Sequence, residues 1–200
     1  KGDSIIINHY SQGFFDDYVV WDFDASRLYH GKDFEYWTEP IDSPPNKYRL
    51  VYSLKIGGMS KKNGERKIIF ELDSLGNLIQ NDEIKGFEDL DNTPQKTFNI
   101  NLEKAIAKAG IYGLQSHENS KIQNYMKWES IGQRNENIHN GRFTYYLLYE
   151  REVIKNIKPE ARSVIEYKYD VYIFNPWNGE FLEKKKMKSF TEWEKRSGSS

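Results

Sequence analysis

VYIFNPWNGEFLEKK, residues 171–185, reads as two extended segments joined by a tight turn. Its β-branched and aromatic residues favour strands. Asn175 can bond its own backbone two residues on, and Pro176 presets φ for the second position of a turn. Asn178 and Gly179 tolerate positive φ, so one of them can close a hairpin loop of about four or five residues. This stretch therefore predicts an antiparallel hairpin, with Trp177 at the tip of its turn.

The composition favours a β-rich protein. The chain has 200 residues, of which 38% are hydrophobic and 15% are Phe, Trp or Tyr. That length suits one large domain or two small ones. A core built from so many aromatic rings favours strands over helices.

The charge balance argues against a nucleic-acid partner. Lys and Arg number 29, Asp and Glu number 30, and the formal net charge is -1. Nucleic-acid binding would need a basic excess or stripe. The local run Lys184-Lys185-Lys186, with Lys188, is typical of a solvated strand end or of an edge protected by lysines.

The absence of cysteine limits the chemistry without fixing the compartment. Disulfides, thiolate metal sites and cysteine nucleophiles are excluded. No apolar run approaches the roughly 18 residues of a membrane-spanning helix, and no signal peptide is visible. The sequence opens at Lys1 without Met, which fits a mature or trimmed chain with an export signal or lipid anchor removed upstream. We therefore expect an extracytoplasmic protein: periplasmic, secreted or a surface lipoprotein.

The N-terminal half is predicted to consist of strands. Short strands are expected over 4–10, 17–23 and 33–39, with one helical turn at 24–31 capped by Asp24 and closed by Gly31. Residues 47–56 alternate apolar with mixed side chains, and residues 66–80 follow after a glycine-rich loop. This period of two predicts a long hairpin.

The second half is predicted to begin with a helix over residues 98–110. Leu102, Ala105, Ile106 and Ala109 recur at i, i+3, i+4 and i+7, which makes one apolar face. Asn99 or Asn101 can cap its start and Gly110 its end. A helix this short needs a sheet to pack against. Strands are expected to follow at 121–131, 142–153, 163–174 and 180–190.

Two segments of the chain resemble each other. The hairpin at 48–80 contains FELDSLGNLIQ, and the later hairpin contains IFNPWNGEFLE. Aligned at their turns, Asp73 meets Asn175 and Gly76 meets Gly179, with Leu75 in place of Trp177. An internal repeat explains the likeness, and chance similarity between short glycine turns is the alternative.

The helix INLEKAIAKAG, followed by strands and the YDVYIFNPWNGEFLE hairpin, resembles PepSY and PepSY-like domains over residues 98–187. The chain departs from that pattern in an insertion around residues 158–162 and in an N-terminal half without a matching helix. The resemblance implies a cystatin-like helix-on-sheet fold in an exported protein. It also implies binding or inhibition, with peptidases as candidate partners, rather than catalysis.

Catalytic and metal-binding patterns are weak. His9, His30, His117 and His139 are far apart, and no Gly-x-Ser-x-Gly or phosphate-binding loop occurs. In the acidic group Asp16–Asp24, Asp22 and Asp24 could share one side of a strand as a Ca²⁺ or carboxylate pair. A helix cap or solvated strand is the favoured interpretation. No catalytic residue, metal site or cofactor is predicted.

The aromatic residues are the remaining candidates for ligand binding. Exposed Trp21, Trp37 and Trp177 could stack on sugar rings or anchor a peptide. We expect Trp177 to be the most exposed because it lies at a turn tip. The favoured alternative is that these rings cover the core, and that Trp177 folds back over its own helix or sheet edge.

The sequence thus predicts an α+β protein dominated by antiparallel sheet, with one short helix packed on a C-terminal meander. A β-rich unit (1–90), a helix-plus-meander unit (96–190) and a tail (191–200) are expected, with one continuous domain as the alternative. The favoured function is a non-enzymatic extracytoplasmic module that binds or inhibits a protein or peptide, for instance by strand addition. A glycan-binding protein is second, and a hydrolase using Asp16–Asp24 is third. A homodimer is a further option, because long strands leave edges to cover.

Overall fold

A computed structural model describes residues 1–30, 35–36, 44–56, 66–81, 83–88, 97–115, 121–130, 141–157 and 163–193. Within these ranges three short helices and ten strands form two antiparallel sheets, which confirms the predicted α+β fold class. None of the described helices is long and apolar enough to cross a membrane. The elements are α1 (Gly2–His9), α2 (Gln12–Tyr18), β1 (Val19–Trp21), β2 (Arg27–His30), β3 (Glu35–Tyr36), β4 (Lys47–Leu54), β5 (Lys67–Asp73), β6 (Leu78–Ile79), α3 (Leu102–Ile111), β7 (Ile122–Ser130), β8 (Gly141–Asn156), β9 (Ser163–Phe174) and β10 (Phe181–Trp193).

The chain divides into two compact units. The first comprises Lys1–Asn99 with Met126–Thr144, and the second comprises Ile100–Tyr125 with Tyr145–Ser200. The division near residue 99 lies close to the break expected at 90–96. Residues 126–144, which the sequence assigned to the C-terminal unit, are grouped with the first unit instead.

The first sheet is built around the predicted hairpin. Its strands follow the order β3-β2-β4-β5-β6, and β1 also pairs with β4. The β4–β5 register sets Tyr52 opposite Ile68 and Leu50 opposite Phe70. Ile68 and Phe70 are fully buried, so alternate residues of this hairpin supply one apolar face.

Two helices, α1 and α2, cover that face, and their presence corrects the strands expected at 4–10 and 17–23. The run of three isoleucines after Ser4 is typical of a strand, yet residues 2–9 are helical. Ile6 and Tyr10, four residues apart, are both buried, so tertiary packing overrides β-propensity here. The expected strand at 17–23 survives only as β1, because α2 extends to Tyr18.

Hydrogen bonds tie α1 to the first sheet and to the segment after it. The Tyr52 hydroxyl donates to Asp3 Oδ1 at 2.7 Å. The buried Tyr10 hydroxyl donates to the Gly86 carbonyl at 2.5 Å and accepts from the Glu88 N–H at 3.0 Å. The two bonds of the Tyr10 hydroxyl satisfy buried polar groups, which would otherwise cost free energy of folding.

Asp22, rather than Asp24, makes the capping hydrogen bond of the turn expected after residue 24. Asp22 Oδ1 accepts from the Ala25 N–H at 3.1 Å. The helical turn predicted over 24–31 is wrong, because residues 23–25 form a turn and β2 begins at Arg27. Residues 31–34 and 37–43 lie outside the described part of the chain, so the strand expected at 33–39 is described only at β3.

The second sheet has the order β10-β9-β8-β7. Its strands match the four predicted for the second half, and β8–β9 and β9–β10 are antiparallel hairpin pairs. One face carries a cluster of buried side chains, against which Tyr125, Tyr167, Leu182 and Met187 pack. The buried members of that cluster are Tyr146, Leu148, Tyr169, Val171 and Ile173.

The helix α3 spans Leu102–Ile111, so the helix predicted over 98–110 begins four residues later than expected and does not end at Gly110. The Asn101 side chain accepts from the Lys104 N–H, so Asn101 rather than Asn99 is the cap. Ala105 and Ala109 are fully buried, and such small side chains let a helix lie close to its neighbour. After the helix, Tyr112 stacks on Phe181 with ring centroids 3.7 Å apart.

The β9–β10 turn adopts the predicted chemistry. Asn175 Oδ1 accepts from the Trp177 N–H at 2.9 Å, and Gly179 takes φ of 69°. In the β5–β6 turn, Asp73 Oδ1 accepts from the Leu75 N–H at 2.9 Å and Gly76 takes φ of 82°. The two turns of the suggested repeat therefore share a side-chain-to-backbone bond and a positive-φ glycine.

Gly179 and Gly110 should respond in opposite ways to alanine. Gly179→Ala places a side chain at positive φ, 3.1 Å from Lys108 Nζ, and should lower the free energy of unfolding by about 1–2 kcal/mol. Gly110→Ala, in α3 with no atom within 4 Å of the added carbon, should raise it by about 0.5–1 kcal/mol. Urea unfolding of both variants measures the difference, and equal shifts would contradict the assigned turn.

Candidate functional site

The outer edge of β10 is an open backbone edge among the described residues. β10 ends the second sheet, and within the described chain only β9 pairs with it. Residues 183–186 and 188–191 are exposed, and Met187 is half-buried. We call residues 183–191 the β10 edge.

The two faces of the β10 edge differ in chemistry. Lys185 and Met187 point to the face with the buried cluster, where Lys185 Nζ lies 5.3 Å from the Tyr146 ring centroid. Lys184, Lys186, Lys188 and Phe190 point to the opposite face, because side chains alternate along a strand. The sequence pattern therefore places three ammonium groups in a row on that face.

Two of these three lysines have carboxylate partners on β9. Lys188 Nζ lies 2.8 Å from Glu166 Oε1, and that ammonium holds the pKa of the Glu166 carboxyl below its ordinary value. Lys184 Nζ lies 3.8 Å from Asp170 Oδ2, a carboxylate that Arg151 also approaches at 3.9 Å.

Lys186 differs from its neighbours. Among the described residues, its side chain makes no ion pair or hydrogen bond to another side chain, and it is exposed. Its cross-strand neighbour Asp170 is contacted by Lys184 and Arg151 instead. Lys186 therefore offers an ammonium group that can take an acidic partner without breaking an internal pair.

Cations outnumber carboxylates on this face of the described β8–β10 strands. Two carboxylates each pair with one lysine, at Glu152–Lys168 (2.9 Å) and Glu166–Lys188. Alongside residues 184–190 of β10, the five cations are Arg151, Lys168, Lys184, Lys186 and Lys188, and the three carboxylates are Glu152, Glu166 and Asp170. A chain with a net charge of -1 thus carries a local positive excess beside an open strand edge.

An apolar pair lies at the far end of the β10 edge. Phe190 and Ile154 are both aligned with Glu166, one on each side of β9, and they are 57% and 38% exposed. Exposed large apolar side chains next to an open strand offer contact area to a partner.

The structure separates the three tryptophans that the sequence singled out. Trp177 is only 4% exposed, so the expectation of an exposed ring at the turn tip is wrong. Its backbone N–H donates to Asn175 Oδ1. Its ring is part of the protein's own core, as the alternative interpretation held. Trp21 is 52% exposed, and Trp37 lies outside the described residues.

Trp21 has an intramolecular role as well as exposed surface. Its indole N–H donates to Ser26 Oγ at 3.0 Å, and its ring meets Phe23 edge to face, at 87°. A sugar-binding platform needs flat, accessible ring faces. The Trp21–Phe23 pair presents a bent surface rather than such a platform.

Within the acidic group Asp16–Asp24, Asp16 and Asp22 bond different partners. Asp16 accepts from Gln12 at 2.8 Å, whereas Asp22 accepts from Ser53 and Lys67, each at 3.2 Å. Partial burial opposes ionisation of Asp22, but Lys67, the Ala25 N–H and Ser53 together lower its pKa below the ordinary value. No group of three His, Asp or Glu side chains suited to a metal occurs among the described residues.

The sequence identified the lysine run but not the residues that share its face of β10. The run was interpreted as a strand end or protected edge, which agrees with the position of β10 at the end of its sheet. The contribution of Phe190 was missed. Its signal was the period of two that joins Lys184, Lys186, Lys188 and Phe190 on one face.

The chain was compared with protein-family models, curated proteins and solved structures. No protein-family model, curated protein or solved structure matches the chain. The resemblance to PepSY domains therefore stays a prediction.

Replacement of the two described candidate tryptophans should separate structural from surface roles. Trp177→Ala removes a buried ring and should lower the free energy of unfolding by about 3–5 kcal/mol. Trp21→Ala, at a half-exposed ring, should lower it by about 1 kcal/mol or less. Chemical denaturation checks both values, and a mild loss for Trp177→Ala would contradict its packing in the core.

Acid should remove the contribution of Asp22 to stability. Its folded pKa is lowered, so the contribution is full above about pH 5 and is lost as the pH falls below about 4. Asp22→Asn should lower the free energy of unfolding by about 1 kcal/mol or less at pH 7, with the gap closing on acidification. Asp24→Asn is the matched control and should show no gap at either pH.

Proposed function

We propose that this chain is a non-enzymatic module that binds a protein or peptide by accepting one of its segments as an added strand on β10. One observation carries the proposal: β10 is 13 residues long, ends its sheet, and pairs with β9 alone among the described residues. Every second N–H and C=O group of such a strand points away from its neighbour and needs a partner. An extended segment supplies those partners through main-chain hydrogen bonds.

The β10 edge is long enough for specific recognition. Its residues 183–191 span about 30 Å, which accommodates an extended segment of similar length. Main-chain bonds give affinity in strand addition, while side chains on the two faces give specificity. Here those side chains are lysines and Phe190 on one face, and Lys185, Met187 and Ser189 on the other.

The other two functions have less support. Glycan binding would need exposed rings, but Trp177 is buried. Trp21 packs edge to face with Phe23 and does not form a flat platform with it. A hydrolase would need two cooperating carboxylates, but Asp22 is engaged by Lys67 and Ser53. A protein or peptide ligand is therefore the first choice.

An extracytoplasmic location belongs to this proposal. Its support is the resemblance of residues 98–187 to PepSY domains, which implies an exported protein. Recovery of the natural protein from the cytoplasmic fraction alone would remove that part of the proposal.

Strand addition can be tested without knowing the natural ligand. Random twelve-residue peptides displayed on phage would be selected on the immobilised protein, and a selected peptide resynthesised with N-methyl groups on alternate backbone nitrogens. Strand addition uses one alternating set of N–H groups. Methylation of that set should weaken binding by at least about tenfold, since each lost bond costs about 1 kcal/mol, while methylation of the other set should not.

Hydrogen exchange locates the bound peptide. Amides of β10 that point away from β9 should exchange more slowly when the unmethylated peptide is bound, and amides of β4 should not change. Equal binding by both methylated peptides, or protection confined to another element, would contradict strand addition at β10.

A further inference from the structure

We propose that the segment recognised by β10 is acidic, with carboxylates at alternate positions and an apolar residue two positions before the first of them. This inference rests on the strand addition proposed above and names the chemistry of its partner. It starts from the row Lys184, Lys186, Lys188 and Phe190, which shares one face of β10. Each residue of the row lies opposite one side chain of an incoming strand, at every second position, and selects the chemistry of that side chain.

Direct pairing gives the order of the pattern. Antiparallel strands place residues opposite each other with their side chains on the same face. Both hairpins β8–β9 and β9–β10 are antiparallel. A segment that continues this arrangement reads, from its N-terminus, apolar opposite Phe190, then acidic opposite Lys188, Lys186 and Lys184, with any residue between.

The charge around the edge favours an acidic partner. Lys186 has no side-chain partner among the described residues, so a carboxylate opposite it gains an ion pair at no internal cost. Asp170 is shared by Lys184 and Arg151, at 3.8 and 3.9 Å, so this carboxylate leaves positive charge uncompensated. Opposite charges directly across two strands stabilise their pairing, and like charges oppose it.

A second copy of this chain is a poorer occupant of the same edge. Four of the five residues from Lys184 to Lys188 are lysine. Antiparallel pairing of β10 with itself, with this run opposite its own copy, sets lysine against lysine. Edge lysines disfavour such self-pairing, whereas they attract an acidic strand.

The apolar end of the pattern follows from Phe190 and Ile154. Both side chains are exposed and flank Glu166 on the same face. A valine or isoleucine opposite Phe190 would bury part of that ring and fix the register of the segment. Without it, a strand with alternating carboxylates could shift by two residues along the lysine row.

The test uses a synthetic peptide of about nine residues in which threonine alternates with one valine and then three glutamates. Calorimetry with the full chain should detect binding that weakens as salt rises, because the pairs are solvent-exposed. Replacing the three glutamates with glutamine should weaken binding by about tenfold or more, at about two- to fivefold per exposed pair.

Lys186→Gln supplies the matching change in the protein. It breaks no described ion pair, so folding should be unchanged, and binding of the glutamate peptide should weaken by about two- to fivefold. Binding of the glutamine peptide should not change. Lys55→Gln, at an exposed lysine just after β4 of the other sheet, is the control and should alter neither.

The outcomes distinguish the two proposals. Equal affinity for the glutamate and glutamine peptides, with slowed exchange in β10, would overturn the acidic preference and leave strand addition intact. If neither synthetic peptide binds but library-selected peptides still slow exchange in β10, the acidic preference is also overturned and strand addition stands. If no peptide protects β10, or if sedimentation shows dimers that Lys186→Glu strengthens, both proposals fall.

Discussion

Aromatic burial on sheet faces is the constraint on which the rest of this structure depends. In the second unit Tyr145, Tyr172 and Phe174 are fully buried. Large rings need neighbouring elements to cover them, and a short helix is stable only when it packs on such a surface. The phenol groups then need hydrogen-bond partners, as Tyr145 finds in the Asn124 side chain at 2.8 Å. The helices, the sheets and the buried polar contacts all follow from that requirement.

The same constraint explains why the candidate site lies on a strand edge. Side chains that cover the faces of a sheet do nothing for the backbone groups at its ends, where N–H and C=O groups remain without a neighbouring strand. Among the described strands the second sheet ends in β10, whose residues 183–191 are exposed except for Met187. Lysines along such an edge can serve two purposes, because they hinder pairing with identical strands and attract acidic ones. The proposed function uses both effects of the lysines on the β10 edge.

Much of the second unit was predictable because local sequence and packing agree there. The cap at Asn101, the buried Ala105 and Ala109 and the turn from Asn175 to Gly179 follow from short-range rules. The N-terminal segment was not predictable in the same way. Its isoleucine run favours a strand by propensity, yet the buried pair Ile6 and Tyr10 fits a helix that covers the first sheet. The sheet on which this helix packs is formed by strands about 40 to 70 residues later, so the residues near the run do not indicate it.

By itself the sequence determined the α+β class, the alternation along the strands, the turn chemistry and the lysine run. These depend on residues within a few positions of each other, so propensity and periodicity suffice. Only the tertiary structure decided that β10 ends its sheet, that Trp177 is buried, and that Asp22 bonds Lys67, 45 residues away. Strand order and side-chain burial are set by pairing between distant segments, and that pairing is a property of the whole fold.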